Sequence, residues 1–506
     1  MKTRLEQAQT QILDVVKSRA LTHEQKVTKL SALAYNLADG VVFPEGLQEY
    51  LHQGSICDLQ EGFSPLRPRY ITPDYQLFLE KGCRFLRLDE PKTLAEALNH
   101  LLIFYKHVPS VTNFPVYLGN LDTLLEPFVI KVPRETAKEA LRLFLTNIDR
   151  SITDSFCHAN IGPTETVTGN LILEIELEAA HVVPNITLKY NPEITPDEFA
   201  CRAIQTQLVS AKPSFANDAM FTQEFGVPYA IASCYNGLYI GGGAYTLVRT
   251  RLGSLAATAI SIADFMEDKL PHMMGVLLQY MDARIQFLVE ECGFFPSSFL
   301  VEEGFVHRDR FTGMLGVVGL AECVNNLLEK EQISGRFGNA AVADQLGVQI
   351  IEKIYEINQQ HKNPYCEVSG GAFLLHGQVG ISTDQGQTPN CRIPIGEEPA
   401  ELSDHLLHCG LFHKYFASGI GEIFKVDPTV ANNPEFALDI LKGAMKQQVR
   451  YLSIHSSDSD LVRVTGYLAK KSDIAKLSDG NANLYGTTAL AMGQRDHSRI
   501  YERKVR

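Results

Sequence analysis

The chain has no Cys-x-x-Cys pair, although it carries ten cysteines in 506 residues. They stand at positions 57, 83, 157, 201, 234, 292, 323, 366, 391 and 409. That scatter excludes the zinc ribbon and the closely spaced triad that holds an iron–sulfur cluster. Ten cysteines in so long a chain also make no disulfide framework. Positive charge is short as well. The formal net charge is −13, which argues against nucleic acid as a direct partner, because phosphate binding needs clustered Lys and Arg. No apolar run approaches the length of a membrane span. The opening Met1-Lys2-Thr3-Arg4-Leu5-Glu6-Gln7 is too polar for a signal peptide. Repeats, low-complexity tracts and flexible linkers are missing too, which favours one compact unit. The expectation is a soluble, acidic, cytoplasmic protein without membrane contact.

What is present is ordinary for a large globular core: 45% apolar and 21% charged residues. Residues 1–37 read as two helices, with Leu5, Ile12, Val15 and Val16 on one face. Pro91 and Pro133 each fit the start of a helix. The alternation of Ile186, Leu188 and Tyr190 predicts a strand over 182–190. Thr195-Pro196-Asp197-Glu198 combines an N-cap, a first-turn proline and a capping-box glutamate, predicting a helix that ends near Ala211. Two helical patterns cover about 254–272 and 274–291, and Ile393–Ile395 reads as a short strand. Gly241-Gly242-Gly243 lacks a following Gly-Lys-Ser/Thr, so it is not read as a phosphate loop. His405, His408 and Cys409 share one helix face. Helix packing is favoured there over a metal, because no carboxylate or second cluster completes a site, and no metal is expected.

Two stretches carry chemistry. The first is Pro228-Tyr229-Ala230-Ile231-Ala232-Ser233-Cys234-Tyr235-Asn236-Gly237, a short apolar strand ending in a cysteine-bearing loop. Alone, such a cysteine reads as an inert core thiol. It follows Lys212-Pro213-Ser214-Phe215-Ala216-Asn217-Asp218. The second is Leu461-Val462-Arg463-Val464-Thr465-Gly466-Tyr467-Leu468, in which β-favouring residues lead into one glycine. Glycine after such a run marks a turn, a bulge or close backbone approach.

Arg463-Val464-Thr465-Gly466-Tyr467 resembles the Arg-Val-Ser/Thr-Gly-Tyr signature of the glycyl radical enzymes, near the C-terminus as in that family. Gly119-Asn120-Leu121-Asp122-Thr123-Leu124-Leu125-Glu126-Pro127 and Thr168-Gly169-Asn170-Leu171 resemble segments of its pyruvate formate-lyase-like and diol dehydratase-like branches. The Pro-Ser-Phe-x-Asn-Asp loop ahead of the cysteine strand is similar too. Ala244–Leu252 and Phe311–Glu322 are similar to anaerobic ribonucleotide reductases. The resemblance spans about residues 115–475 in the family's order, and it is nearest to the YjjI-type glycyl radical enzymes.

The resemblance implies an α/β fold: a ten-stranded barrel of two parallel five-stranded halves, surrounded by helices. A helical N-terminal extension (1–110) would pack on a barrel of residues 111–506, with the glycyl loop around 460–470. Gly466 would store a radical, since only glycine leaves a planar Cα free of a crowding Cβ and reaches conformations closed to other residues. Cys234 would become a thiyl that takes hydrogen from a small polar substrate under anaerobic conditions. Asn217, Asp218, Asn236, Glu322 and Asn390 are the candidate substrate-binding groups. The chain has no cluster motif, so the glycyl radical would be installed by a separate radical S-adenosylmethionine activating enzyme. A homodimer is compatible with this reading.

Departures from the named branches leave the reaction open between elimination, cleavage and rearrangement. Diol dehydratases carry Cys-x-Glu where this chain has Cys234-Tyr235-Asn236, and Ser233 stands where pyruvate formate-lyase has an adjacent cysteine. No cysteine follows Gly466, unlike the anaerobic reductases with their C-terminal zinc site. A ribonucleotide- or deoxysugar-directed enzyme is the alternative within the class, and it would bind phosphate through Arg249 or Arg251. A catalytically silent barrel serving as a scaffold is the alternative outside it, against which the retention of both Gly466 and Cys234 argues.

Overall fold

A computed structural model describes residues 4–497 except 39, 60, 62–64, 378–383 and 385. In chain order, the first strands are β1 (Ile56–Cys57), β2 (Tyr70–Thr72), β3 (His158–Ile161), β4 (Asn185–Tyr190) and β5 (Ser214–Asn217). A hairpin follows, β6 (Tyr229–Ala232) and β7 (Asn236–Tyr239), then β8 (Gly242–Arg251), β9 (Phe311–Val318) and β10 (Leu374–Gly377). The C-terminal third adds β11 (Glu422–Val426), β12 (Tyr451–Ser456) and a second hairpin, β13 (Leu461–Arg463) with β14 (Leu468–Lys470). Two five-stranded sheets result. One runs β11-β12-β5-β4-β3, and the other runs β1-β8-β9-β10 with β2 also paired to β8. Among the described residues no ladder joins the two sheets.

Neither half is wholly parallel, which corrects the expectation. Parallel pairing occurs where helices connect consecutive strands. Val167–Ala179 lies between β3 and β4, Asp197–Ser210 between β4 and β5, and Pro434–Lys446 between β11 and β12. A helical crossover returns the chain to the same end of the sheet. No such crossover links β5 to β12, and these two pair antiparallel. The short β1 and β2 run antiparallel to β8 at the margin of the other sheet. Both belong to the N-terminal segment, which therefore contributes strands as well as helices.

Several local expectations shift. The first two helices, Arg4–Lys17 and His23–Tyr35, form as expected, but Leu5, Ile12 and Val16 remain exposed. The helix after Pro91 starts later, at Leu94, where Thr93 and Glu96 make a reciprocal capping box. Thr195 caps nothing: Pro196 occupies the N-cap of Asp197–Ser210, and the Thr195 hydroxyl bonds the Pro163 carbonyl instead. The helical break falls at 259–261, because Pro271 sits in the first turn of Leu270–Gln286 and continues the preceding π-turn. Residues 393–395, which include Pro394, form no strand. No helix among the described residues is long and apolar enough to cross a membrane.

The two hairpins stand outside the large sheets and reach into the protein. Their tips, 233–235 and 464–467, are buried.

Candidate active site

Residues 233–235 cross from β6 to β7, with Ala232 paired to Asn236. The backbone makes this sharp turn through Ser233, which takes a left-handed φ of 57°. Several neighbours hold it. Asn160 clamps Ile231, giving Nδ2 to its carbonyl and taking its amide on Oδ1, both at 2.8 Å. The Ser233 amide donates to the Val116 carbonyl (2.9 Å). The Ser233 carbonyl accepts from His158 Nδ1 (2.7 Å), and His158 Nε2 then accepts from the Thr187 hydroxyl (2.6 Å). Burial depresses His158 to about 3, so the ring is neutral and carries its proton on Nδ1.

The second tip is fixed from β4. Asn185 donates from Nδ2 to the Gly466 carbonyl (2.9 Å) and accepts on Oδ1 from the Arg463 guanidinium (2.7 Å). Arg463 is fully buried and also reaches the Ala211 carbonyl. The arginine three residues before the glycine thus sets the hairpin through an asparagine from another strand. Tyr467 packs on Phe156, with ring centroids 5.0 Å apart.

The tips meet. A Cβ placed on Gly466 would stand 1.8 Å from Cβ of Cys234, 2.7 Å from its Cα and 3.2 Å from its Sγ. Carbon atoms in contact rest at about 3.5–4.0 Å, so no side chain fits. Gly466 is absent from the residues with left-handed φ. Here space demands glycine, and the expected need for unusual backbone freedom is corrected.

Burial lifts the Cys234 thiol to about 12, which keeps it as S–H at neutral pH and unsuited to thiolate chemistry. Its sulfur donates to Asn236 Oδ1 (3.0 Å) and lies 3.8 Å from His376 Nε2. Burial also pushes His376 down to about 3, so this ring too is neutral. Asn236 Nδ2 and His376 Nδ1 are buried without hydrogen-bond partners. Asn390 donates to the Tyr235 hydroxyl (3.3 Å), leaving its own Oδ1 unpartnered. Orphaned buried polar atoms are uncommon. Two of them are on residues that border one thiol and the third is on a residue bound to the adjacent Tyr235, which suits a small polar ligand.

Of the candidate residues, Cys234, Gly466, Asn236 and Asn390 therefore share one region. The other three have their side chains engaged elsewhere. Asn217 caps Asp218–Phe225 and donates to the Met445 and Val449 carbonyls. Asp218 accepts from Tyr229 (2.8 Å) and Asn191 (3.0 Å). Glu322 binds the amide and hydroxyl of Thr388, and burial raises its pKa. Arg249 is held in a buried bidentate pair with Asp384 (2.6 and 2.7 Å), and Arg251 lies 3.6 Å from the same carboxylate.

Sequence reasoning missed His376, His158 and Asn185. The only hint of His376 was a lone polar residue in Leu374-Leu375-His376-Gly377. The hint of Asn185 was the polar set of β4. Asn185, Thr187 and Lys189 are as buried as Ile186, Leu188 and Tyr190, and Asn185 and Thr187 hold the two tips.

The sequence matches the family model described as "Glycyl radical enzyme YjjI-like" over residues 21–506. An uncharacterized protein of Haemophilus influenzae is 43% identical over 505 residues, covering 98% of this chain and 97% of the relative. The uncharacterized protein YjjI of Escherichia coli is 39% identical over 497 residues, covering 97% and 95%. Among solved structures, the fold is similar to the anaerobic ribonucleotide reductase of Thermotoga maritima (TM-score 0.69, 13% identity, 95% of this chain and 99% of that one). It is also similar to the B12-independent glycerol dehydratase of Clostridium butyricum (0.69, 13%, 99% and 88%). Hydroxyproline dehydratase from Clostridioides difficile is a further likeness (0.67, 12%, 100% and 89%). These likenesses concern the fold, while the matched family model and the two relatives fix membership: the chain belongs to the YjjI-like family of glycyl radical enzymes.

Proposed function

We propose that Gly466 carries a radical which passes to Cys234, and that the Cys234 thiyl abstracts hydrogen from a small polar substrate. The abutment of Gly466 on Cys234 carries this reading, because a Cβ there would stand 1.8 Å from Cβ of the cysteine. Hydrogen-atom exchange requires contact, and a thiol kept protonated by burial supplies a hydrogen atom where a thiolate could not. The two sheets would close as a ten-stranded barrel around the tips, with residues 1–110 contributing β1 and β2 and otherwise packing on it as an extension. Enclosure keeps oxygen and water from a thiyl radical. An external radical S-adenosylmethionine activase would install the radical on Gly466.

At the thiol, Asn236 would orient a substrate hydroxyl or carbonyl through its unpartnered Nδ2. The neutral His376 would accept the proton that the Cys-x-Glu carboxylate handles in diol dehydratases. Asp218 and Glu322, the carboxylates among the candidate substrate-binding groups, have their oxygens engaged elsewhere. The buried Arg249–Asp384 pair weighs against a phosphate there and hence against a nucleotide substrate.

The test is anaerobic activation followed by exposure to air. Oxygen should cut the chain at Gly466, removing about 40 of the 506 residues. The activated protein should then be screened on small diols, hydroxy acids, amino acids and sugars, beside Asn236→Glu and His376→Gln. Cleavage elsewhere, or none, sinks the assignment of Gly466. Undiminished turnover in His376→Gln sinks that of the proton acceptor.

A further inference from the structure

We infer that His405, Cys409 and Glu422 bind a zinc ion between the helix Leu402–His413 and the first residue of β11. The sequence pattern left this helix face as packing for want of a carboxylate. Glu422 supplies it from the adjoining strand. The three side chains are buried, and one ligand atom from each lies within 4.8 Å of the others. Glu422 Oε2 is 3.2 Å from His405 Nε2 and 4.0 Å from Cys409 Sγ. Ligands about 2.0–2.3 Å from a tetrahedral zinc stand roughly 3.3–3.6 Å apart, so the observed separations bracket that geometry. His408 points away, to Asp344 at 3.3 Å, and takes no part.

The donor set selects the metal. A thiolate with an imidazole and one carboxylate suits zinc and disfavours magnesium or calcium, which take oxygen ligands. Arg392 lies on the other Glu422 oxygen (Nε to Oε1, 3.3 Å), where a carboxylate bound through Oε2 alone would present it. Cys391 is not among the side chains whose ligand atoms lie within 4.8 Å of one another, so the site has three protein ligands. One thiolate, one carboxylate and Zn²⁺ sum to no net charge, which suits a buried site. Three protein ligands would leave the fourth tetrahedral position to a small ligand such as water. The site would anchor the helix beside Gly421, whose carbonyl Arg392 also binds.

The experiment is elemental analysis of untagged protein purified without chelator, loaded with zinc and dialysed. We expect one zinc per chain, a loss of tenfold or more in Cys409→Ser and in His405→Gln, and no loss in His408→Gln. Less than a tenth of an equivalent in wild type, another metal in its place, or variants that hold as much zinc as wild type would overturn the site. Should the ligand variants fail to fold, cobalt-loaded wild type decides. Thiolate ligation gives a near-ultraviolet charge-transfer band, and bound cobalt without that band refutes it.

Discussion

Adding one methyl group at Gly466 probes the contact between the two hairpins without any chemistry. In Gly466→Ala the new Cβ falls 1.8 Å from Cβ and 2.7 Å from Cα of Cys234. Restoring ordinary carbon contacts of about 3.5–4.0 Å requires the tips to part by about 2 Å. Overpacking usually costs about 1–3 kcal/mol. Both tips here are pinned, by Asn185 on one side and by Val116 and His158 on the other, so we expect about 3 kcal/mol. Removing Cβ of the partner relieves the worst of the overlap. In a Cys234→Gly background the same substitution should cost about 1–2 kcal/mol less, whereas Cys234→Ala keeps the Cβ and relieves only the milder approach to Sγ at 3.2 Å. Urea unfolding can be followed by tyrosine fluorescence, since the chain has no tryptophan. Hydrogen exchange over 461–470 reads the local opening. Equal cost in the wild-type and Cys234→Gly backgrounds, within about 0.5 kcal/mol, would refute the contact.

Native protein should leave Cys234 unlabelled by iodoacetamide up to pH 9, because burial holds the thiol near 12. The part-exposed Cys57, Cys201 and Cys292 should react first, as peptide mapping would reveal. Cys234→Ser should keep the activated glycyl signal but lose turnover, since an O–H bond is too strong to exchange hydrogen with a glycyl radical. Asn236→Ala should lower kcat at least tenfold while leaving the radical yield unchanged. His413 is depressed to about 3 by burial. Its contribution to stability is complete above the unfolded value near 6.5 and is lost as pH falls toward 3. By pH 5 that loss is roughly 2 kcal/mol, which His413→Asn should remove from the acid unfolding curve.

The residues that do the proposed chemistry were legible because chemistry restricts their identity. A glycine inside Arg463-Val464-Thr465-Gly466-Tyr467 and a cysteine after an apolar strand leave marks in the chain itself. The residues that hold them left fainter marks. Asn185 stands in an alternation that reads as a half-exposed strand, yet its polar side is as buried as its apolar side. Alternation reports that the two faces differ and is silent on which one meets water. Asn217 and Asp218 read as a loop, whereas Asn217 ends β5 and caps Asp218–Phe225 by accepting from the Met220 amide. The two side chains are fixed further by Met445 and Val449 and by Tyr229 and Asn191. The antiparallel β5–β12 pair was hidden for the same reason, since its partners lie more than 230 residues apart.

Electron paramagnetic resonance of the anaerobically activated protein tests the central proposal most directly. A radical on Cα of Gly466 retains one Cα hydrogen, and coupling to it splits the signal into a doublet. Protein grown on glycine deuterated at Cα should give a collapsed single line, and Gly466→Ala should give none. A doublet that survives Gly466→Ala would contradict the account.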